Sequence, residues 1–508
     1  MKKLMKFLTS RLFITALFML INIVLAVLFI FALADRFAWY YTFCILLSII
    51  TMIDIVNSPM NPSFKLTWVI LVLCMPMFGS PVYFIMSKGK QEKRTSKKFK
   101  EYQSLMRNTL PKDERIIPEI EKSEPDIARQ CRYIEKSAYA PVYKNTETKY
   151  FPSGEEYFSQ LLKELSKAER FIFLEYFIIE SGVMLDSILD ILKKKVTEGV
   201  EVRLMYDDFG TISKLPNGFR KKLENMGIRV CVFNKVSSIL NAFLNYRDHR
   251  KILVIDGNVG FTGGINLADE YINEVEKFGH WKDTGVMLKG EAVTKLTEIF
   301  LQLWHFSNNE TKVDYKDYAA TVKSDSDGYV QPFGESPLDD ELTGELCYMG
   351  LINCASKSIH ITTPYLILDN EMTTALCHAA KSGVDVKIIT PHIPDKKIVF
   401  WVTKSNYRAL LEAGCKIYEY TPGFIHAKGM IVDGVACVLG TINFDFRSFY
   451  LHFENGILAY LSSCVYDAEK DFLETMEKSQ EITLAQIKKK GRIYAWLQAL
   501  LKLFSPLM

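Results

Sequence analysis

The chain lacks the spacing that would mark a zinc protein or a disulfide-stapled domain. Ten cysteines are scattered along its 508 residues without a C-x2-C pair, which argues against both a structural metal site and a cysteine framework. Thiols inside apolar runs, such as Cys231 in Val230-Cys231-Val232, read as reduced core residues of a reducing compartment. An excess of charge of one sign is also missing. The formal net charge of +3 separates no class of partner, so the placement of the charges has to carry the argument. With 24% charged and 49% hydrophobic residues, the chain is neither disordered nor wholly embedded in a membrane. No small-residue cleavage site follows the first apolar run, and more apolar sequence comes after it. A cleaved secretory leader is therefore disfavoured.

Three apolar segments open the chain, Leu12 to Leu33, Trp39 to Val56 and Leu66 to Met86. The first is long enough to cross about 30 Å of hydrocarbon as a helix. The third contains Pro76, Gly79 and Pro81, which favour a kinked or re-entrant path. Basic residues stand before the first segment (Lys2, Lys3, Lys6, Arg11) and after the last (Lys88, Lys90, Lys93, Arg94, Lys97, Lys98, Lys100). Both ends then belong on the cytoplasmic side, which requires an even number of crossings. The expectation is a hairpin of the first two segments with the third lying partly in the bilayer; three plain crossings are the alternative. Residues 1–87 thus read as a membrane region with transmembrane helices, and 88–134 as a basic linker.

Beyond the linker the chain reads as two copies of one unit, 135–320 and 321–485. The first copy runs "AERFIFLEYFII", "GVEVRLMYDD", "MGIRVCVFN"; the second runs "SKSIHITTPYLIL", "GVDVKIITPH", "AGCKIYEYT". These β-rich runs alternate with stretches of helical period, Leu185 to Val196 and Glu371 to Ala380, so each copy is an α/β unit with a largely buried sheet. The first copy is the longer just ahead of its motif, in "KVSSILNAFLNYRD". Ile239, Leu240, Phe243 and Leu244 there suit either a lip around an apolar substrate or a packed surface loop.

Each copy ends in the same pattern. "NYRDHRKILVIDGNVGFTGGIN" carries His249-x-Lys251-x4-Asp256 and then Gly263-Gly264-x-Asn266; "GFIHAKGMIVDGVACVLGTIN" carries His426-x-Lys428-x4-Asp433 and Gly440-Thr441-x-Asn443. One such triplet beside a hydrophobic run would most simply be a satisfied core histidine. Two, matching over so many positions, are not chance. Alternation along an extended strand puts His and Lys on one face. A pseudo-twofold axis would then gather two imidazoles, two ammonium groups and two carboxamides around a volume that suits a phosphate. One neutral imidazole can attack phosphorus while the other delivers a proton to the leaving alkoxide. Lysines and asparagines would stabilise the charge that builds up, so neither metal nor cofactor is called for. Each histidine needs a partner on its other ring nitrogen, and Asp283 in "HWKDTG" and Glu454 in "HFENG" are candidates.

These paired H-x-K-x4-D-x6-G-[GST]-x-N motifs resemble those of the phospholipase D superfamily, and "NYRDHRKILVIDG", "FTGGINLADEY", "WKDTGVMLKG", "IHAKGMIVD", "KLTWVILVLCMPMFGSPVY" and the terminal "LFSPLM" resemble its bacterial cardiolipin synthase branch. The likeness covers nearly the whole chain. It implies two pseudo-twofold-related phospholipase D-like α/β repeats with mixed sheets, behind N-terminal transmembrane helices, in a multi-pass protein of the bacterial cell membrane with a cytoplasmic catalytic domain. It implies that His249 is the nucleophile forming a phosphatidyl-histidine and His426 the general acid and later base, an order the residues alone leave open. Lys251, Lys428, Asn266 and Asn443, flanked by Gly264 and Thr441, match the phosphate-binding positions. Glu454 matches the acid that orients a histidine, with Asp283 as its counterpart. Asp256 and Asp433 complete the catalytic motifs, and a structural role is the simpler reading of both.

The implied reaction is phosphatidyl transfer between two phosphatidylglycerol molecules. Hydrolysis, or transfer to another alcohol, is the alternative within enzymes, and a non-catalytic lipid-binding scaffold has no need of two complete motifs. The implied partners are phosphatidylglycerol and anionic membrane lipids, not nucleic acid, because the membrane region argues against a soluble polyanionic substrate; the oligomeric state is left open. In the tail, 486–508, Ile493, Trp496, Leu497, Leu500, Leu501 and Phe504 share a helical stripe behind Lys488 to Lys490. Such a basic amphipathic helix is expected in the membrane interface, with packing on the protein as the alternative.

Overall fold

The computed structural model describes residues 20–21, 24–25, 27–28, 38–86, 90–106, 110–236, 245–310, 315–325, 328–488 and 491–507. Most of the first apolar segment and the stretch 237–244, with its four apolar lip residues, lie outside the described residues. The second apolar segment is helix α1 (Ala38–Asn57). The third is broken in two, α2 (Pro62–Cys74) and α3 (Pro76–Met86). Pro76 supplies no N–H and disfavours helical backbone at Met75, so the break falls there. Among the described residues no helix is long and apolar enough to cross a membrane. The expected transmembrane hairpin is therefore not supported by the described helices.

The stretch expected to be a linker is helical and packed. Helix Lys90–Met106 lays Phe99 edge-on against Phe306 and Phe453, with ring centroids 5.4 and 5.5 Å apart. Its amphipathic pattern, one apolar stripe among lysines, is what lets a basic segment cover a core.

Two mixed sheets follow, built in the same order. The first copy supplies β1 (Thr146–Phe151), β2 (Phe171–Tyr176), β3 (Glu201–Asp207), β4 (Arg229–Phe233), β5 (Arg247–Asp248), β6 (Lys251–Ile255), β7 (Val259–Gly263), β8 (His280–Lys282) and β9 (Gly285–Gly290). The second supplies β10 (Tyr329–Glu335), β11 (Ser358–Thr362), β12 (Leu366–Ile367), β13 (Asp385–Pro391), β14 (Lys416–Tyr420), β15 (Gly423–Ile425), β16 (Gly429–Val432), β17 (Ala436–Gly440), β18 (Phe444–Asp445), β19 (His452–Tyr460) and β20 (Ser479–Ile482). Sheet one runs β1-β9-β7-β6-β2-β3-β4 and sheet two β10-β19-β17-β16-β11-β13-β14, with β20 added at its edge. In both, three parallel strands (β2-β3-β4; β11-β13-β14) continue into antiparallel ones. The repeat seen in the sequence is thus a repeat of topology.

The parallel strands are joined by the amphipathic helices Val183–Thr197 and Asn370–Lys381, where the helical period placed them. Between the sheets lies α4 (Val293–Asn308), buried at every residue from Val293 to Phe306. Its Leu296, Phe300 and Trp304 share one core with Phe173 and Val254 of the first copy and Leu439 and Ile457 of the second. Three further helices bear on the site: α5 (Lys397–Ala413), the short α6 (Phe446–Tyr450) and the C-terminal α7 (Gly491–Lys502).

Candidate active site

The two histidines stand at the seam between copies. His249 precedes β6 and His426 precedes β16 by a few residues, and each is tied to the other copy. The His249 amide donates to the Phe453 carbonyl at 2.9 Å and the His426 amide to the Lys282 carbonyl at 2.7 Å. The same seam pairs β5 with β19 and β15 with β8, both parallel. Because Phe453 and Lys282 each precede an acid, the pairing delivers that acid to the facing histidine. His249 Nδ1 lies 2.9 and 3.0 Å from the two oxygens of Glu454, and His426 Nδ1 lies 2.7 Å from Asp283 Oδ2. Each histidine is therefore oriented by the opposite copy, a crossing that spacing along the chain does not reveal.

The groups around the acids differ between copies. Glu454 accepts from the hydroxyls of Thr441 (2.5 Å) and Ser448 (2.8 Å). Asp283 accepts from the Thr284 amide at 2.8 Å, and a Cβ on Gly264 would stand 2.0 Å from its Oδ1. Gly264 and Thr441, expected beside the phosphate, each lie against one of the acids, Gly264 by leaving room for Asp283 and Thr441 by donating a hydrogen bond to Glu454. Asn266 and Asn443 are buried close by. The Asn266 carbonyl oxygen accepts from the Ile178 amide at 2.9 Å and its NH2 donates to the Tyr271 hydroxyl at 2.8 Å. The Asn443 NH2 donates to Ser448 Oγ at 3.1 Å.

Asp256 and Asp433 are not at this seam. Both adopt left-handed backbone, φ 56° and 53°, in the turns after β6 and β16, at the far end of the strands from the histidines. Asp256 accepts the amides of Glu169, Arg170 and Phe171 at 2.7–2.9 Å. Asp433 accepts those of Ser356, Lys357 and Ser358 over the same range. Each carboxylate staples its turn to the start of a neighbouring strand, so their place in a catalytic set is corrected to a structural one.

Burial sets the charge states. Desolvation, followed by the charges of Lys251 and Lys428, holds His249 well below its ordinary pKa; desolvation and then Lys428 and Lys251 do the same to His426. With Nδ1–H given to Glu454, the neutral His249 ring presents a lone pair at Nε2, whereas His426 Nδ1 and Asp283 Oδ2 share one proton between them. Lys251 hydrogen-bonds the His249 carbonyl at 2.5 Å, and Lys428 the His426 carbonyl. Lys428 also lies 2.8 Å from His426 Nδ1, but that nitrogen has one hydrogen and the carboxylate takes it. Desolvation lowers Lys251 to about 7 and Lys428 to about 8. It raises Asp283 to about 7, against the pull of Lys428.

Sequence reasoning missed two neighbours. His452 lies with its ring centroid 5.3 Å from that of His249 and its Nδ1 3.5 Å from Glu454, and burial drives its pKa to about 3. Ser448, on α6, holds Glu454 through its hydroxyl. His249, His452 and Glu454 offer ligand atoms within 4.8 Å of one another, the one grouping of metal-ligand spacing among the described residues. Around the histidines stand Phe177, Tyr271 and Trp281, whose ring centroids lie 5.1–5.7 Å from His249 or His426.

Two like α/β units meeting at paired histidine and lysine side chains define a phospholipase D type of fold and site. Residues 161–304 and 348–476 match the family model described as cardiolipin synthase, PLD-like domain, and 46–88 match that of the phospholipase D-nuclease N-terminal region. An uncharacterized protein of Streptococcus mutans is 44% identical over 461 residues, 90% of this chain and 99% of that one. A cardiolipin synthase of Alkalihalophilus pseudofirmus is 35% identical over 451 residues, 88% of this chain and 90% of that one. The fold is similar to that of a phosphatidylserine synthase from Haemophilus influenzae, with a TM-score of 0.57 and 15% identity, over 74% of this chain and 98% of that one. The chain belongs to the cardiolipin synthase family of phospholipase D-like proteins.

Proposed function

We propose that this chain is a cardiolipin synthase that moves a phosphatidyl group from one phosphatidylglycerol to the terminal hydroxyl of another. The observation that carries the reading is the crossed pair of buried dyads, His249–Glu454 and His426–Asp283, with two lysines between them. In the first half-reaction the Nε2 lone pair of His249 forms a bond to phosphorus. The phosphorus–oxygen bond to the headgroup breaks, and glycerol leaves with a proton from His426. The His426–Asp283 pair is the natural proton store, since burial keeps the Asp283 carboxyl protonated up to about pH 7. In the second half His426 takes the hydroxyl proton of the acceptor, whose oxygen attacks phosphorus, and the bonding pair returns to His249.

Lys251 and Lys428 hold the non-bridging oxygens. Asn266 and Asn443 each give one N–H to a neighbouring hydroxyl, and the second N–H of each is suited to a phosphate oxygen. The phosphate charge would in turn raise both lysine pKa values and hold the lysines charged. The apolar helices α1 to α3 are read as the part that keeps the protein on the membrane, which fits the exposed Phe43, Ile49, Ile53, Leu66 and Leu73. The test is direct. Purified full-length protein in detergent, given phosphatidylglycerol alone, should yield cardiolipin and glycerol. Phosphatidate as the product would mean a hydrolase, and no turnover would remove the reading.

A further inference from the structure

We propose that the first turn of α5 and the outward face of α7 form one bilayer-docking surface that seats the mouth of the site at the level of the lipid phosphates. The inference rests on the reading that the substrate is a membrane phospholipid, and it names the face by which the protein meets it.

The surface begins with the tail. One side of α7 packs on the protein: Leu501 joins Val399, Val402, Phe446 and Tyr450 in a single cluster, and the Gln498 side chain donates to the Trp401 carbonyl at 3.2 Å. The flank of the stripe away from Leu501 carries Trp496 and Leu500, with Leu497 exposed between them and Leu501, and Trp496 is 79% exposed. Ile398 and Trp401 on α5 are exposed as well, Ile398 at 56%. Isolated apolar residues on a surface are ordinary, but two tryptophans and three aliphatic side chains across one helix pair form a patch that water does not favour. Packing and exposure thus divide the tail between them: its inner stripe fixes α7 to α5, and its outer stripe extends the apolar surface of α5.

Three observations select a lipid surface as the occupant. First, the patch continues into the apolar N-terminal region, because Thr67 of α2 hydrogen-bonds the Leu503 carbonyl at 2.7 Å, just past α7. Second, its edge is basic. Lys396 and Lys397 are exposed immediately before Ile398, the arrangement in which apolar side chains enter the acyl boundary while ammonium groups stay with anionic headgroups. Third, the edge is joined to the site. The Lys396 ammonium lies over the Tyr365 ring, 5.1 Å from its centroid, next to Leu366. The helix is also tied to the site: the Leu366 amide donates to Thr403 Oγ1 at 3.2 Å and the Asn406 side chain donates to the Leu366 carbonyl at 2.9 Å. Leu366 begins β12, which pairs with β18 directly after Asn443. Depth of Ile398 and Trp401 in the bilayer therefore sets the height of the site above it.

The test uses full-length protein in vesicles of phosphatidylglycerol with brominated acyl chains, which quench tryptophan in the bilayer. Of the six tryptophans, Trp401→Phe and Trp496→Phe should each remove part of the quenched emission. Emission from either residue that bromine leaves unquenched overturns the proposal. In the activity arm, Ile398→Ser with Trp401→Ser should lower turnover of vesicle phosphatidylglycerol by about tenfold or more and leave turnover of monomeric short-chain phosphatidylglycerol unchanged. An equal loss on both substrates, with the conservative Trp401→Phe variant active on both, would make the residues part of the fold alone. A fall from dimer to monomer in the serine variant would give the face to a second copy instead. If wild-type protein shows the quenching but makes no cardiolipin, the docking surface stands and the chemical reading falls.

Discussion

Replacing Glu454 by Gln keeps the shape of the side chain and removes its charge, and the consequences follow from its contacts. In the wild type both oxygens accept: His249 Nδ1–H, Thr441 Oγ1–H and Ser448 Oγ–H all point at one carboxylate with no exposure to solvent. A carboxamide has one acceptor and one donor. Thr441 holds Oε2 at 2.5 Å and Ser448 holds Oε1 at 2.8 Å, and His249 Nδ1–H reaches both oxygens, at 2.9 and 3.0 Å, so whichever oxygen becomes NH2 faces that proton. Two donors then meet. The ring resolves the clash by moving its proton to Nε2, where the attacking lone pair has to be. Losing a charge-assisted hydrogen bond costs about 1.5–3 kcal/mol, and the wrong tautomer adds a similar amount, together about 3–6 kcal/mol or two to four decades of rate. The loss should fall on kcat, with KM for phosphatidylglycerol within about threefold, since no phosphate contact is touched. Quenched-flow trapping of the phosphatidyl adduct on His249 should show its formation slowed by the same factor. A Glu454→Gln variant within about tenfold of wild type, or one that forms the adduct at full rate, would refute the argument that this carboxylate sets the tautomer.

Three other outcomes are expected. The pH profile of kcat/KM should be level through mildly acidic pH and fall above about 7 to 8, because rising pH removes the proton of Asp283 (about 7) and the charges of Lys251 (about 7) and Lys428 (about 8), while His249, held well below its ordinary value by burial, stays neutral; an alkaline optimum would contradict this. Asp433→Ala breaks three backbone hydrogen bonds of 2.7–2.9 Å and should cost about 2–4 kcal/mol of stability, read as a lower Tm, with the rate per folded molecule unchanged. Activity should survive chelators, whereas added zinc should inhibit by taking the His249, His452 and Glu454 ligand atoms; strict dependence on a divalent ion at the chemical step would show the site misread.

What could be read from the chain is what lies close together along it. Strand β2 opens with the apolar run Phe171 to Leu174 because both faces of a central strand are covered, and the His-x-Lys spacing is local to two residues. The acid partners were visible as residues but not as pairs, since His249 meets Glu454 across 205 positions and His426 meets Asp283 across 143. Only the parallel pairing of β5 with β19 and β15 with β8 brings them together. Gly264 and Thr441 were legible as motif positions, but their contacts with Asp283 and Glu454 depend on where the acid's side chain ends. The tail was legible as amphipathic, but a stripe does not say which side meets protein, and here Leu501 packs inward while Trp496 faces out.

The crossed dyads also govern when the protein becomes dangerous to its own membrane. A ribosome makes His249 long before Glu454, which lies 205 positions further along the chain. Until the second copy has emerged and folded against the first, His249 has no carboxylate on Nδ1 and His426 does not yet exist. A nascent chain that has finished only its first copy is thus chemically silent, and so is any truncated product of interrupted synthesis. By the proposed mechanism, phosphodiester cleavage switches on only when both copies are present and joined.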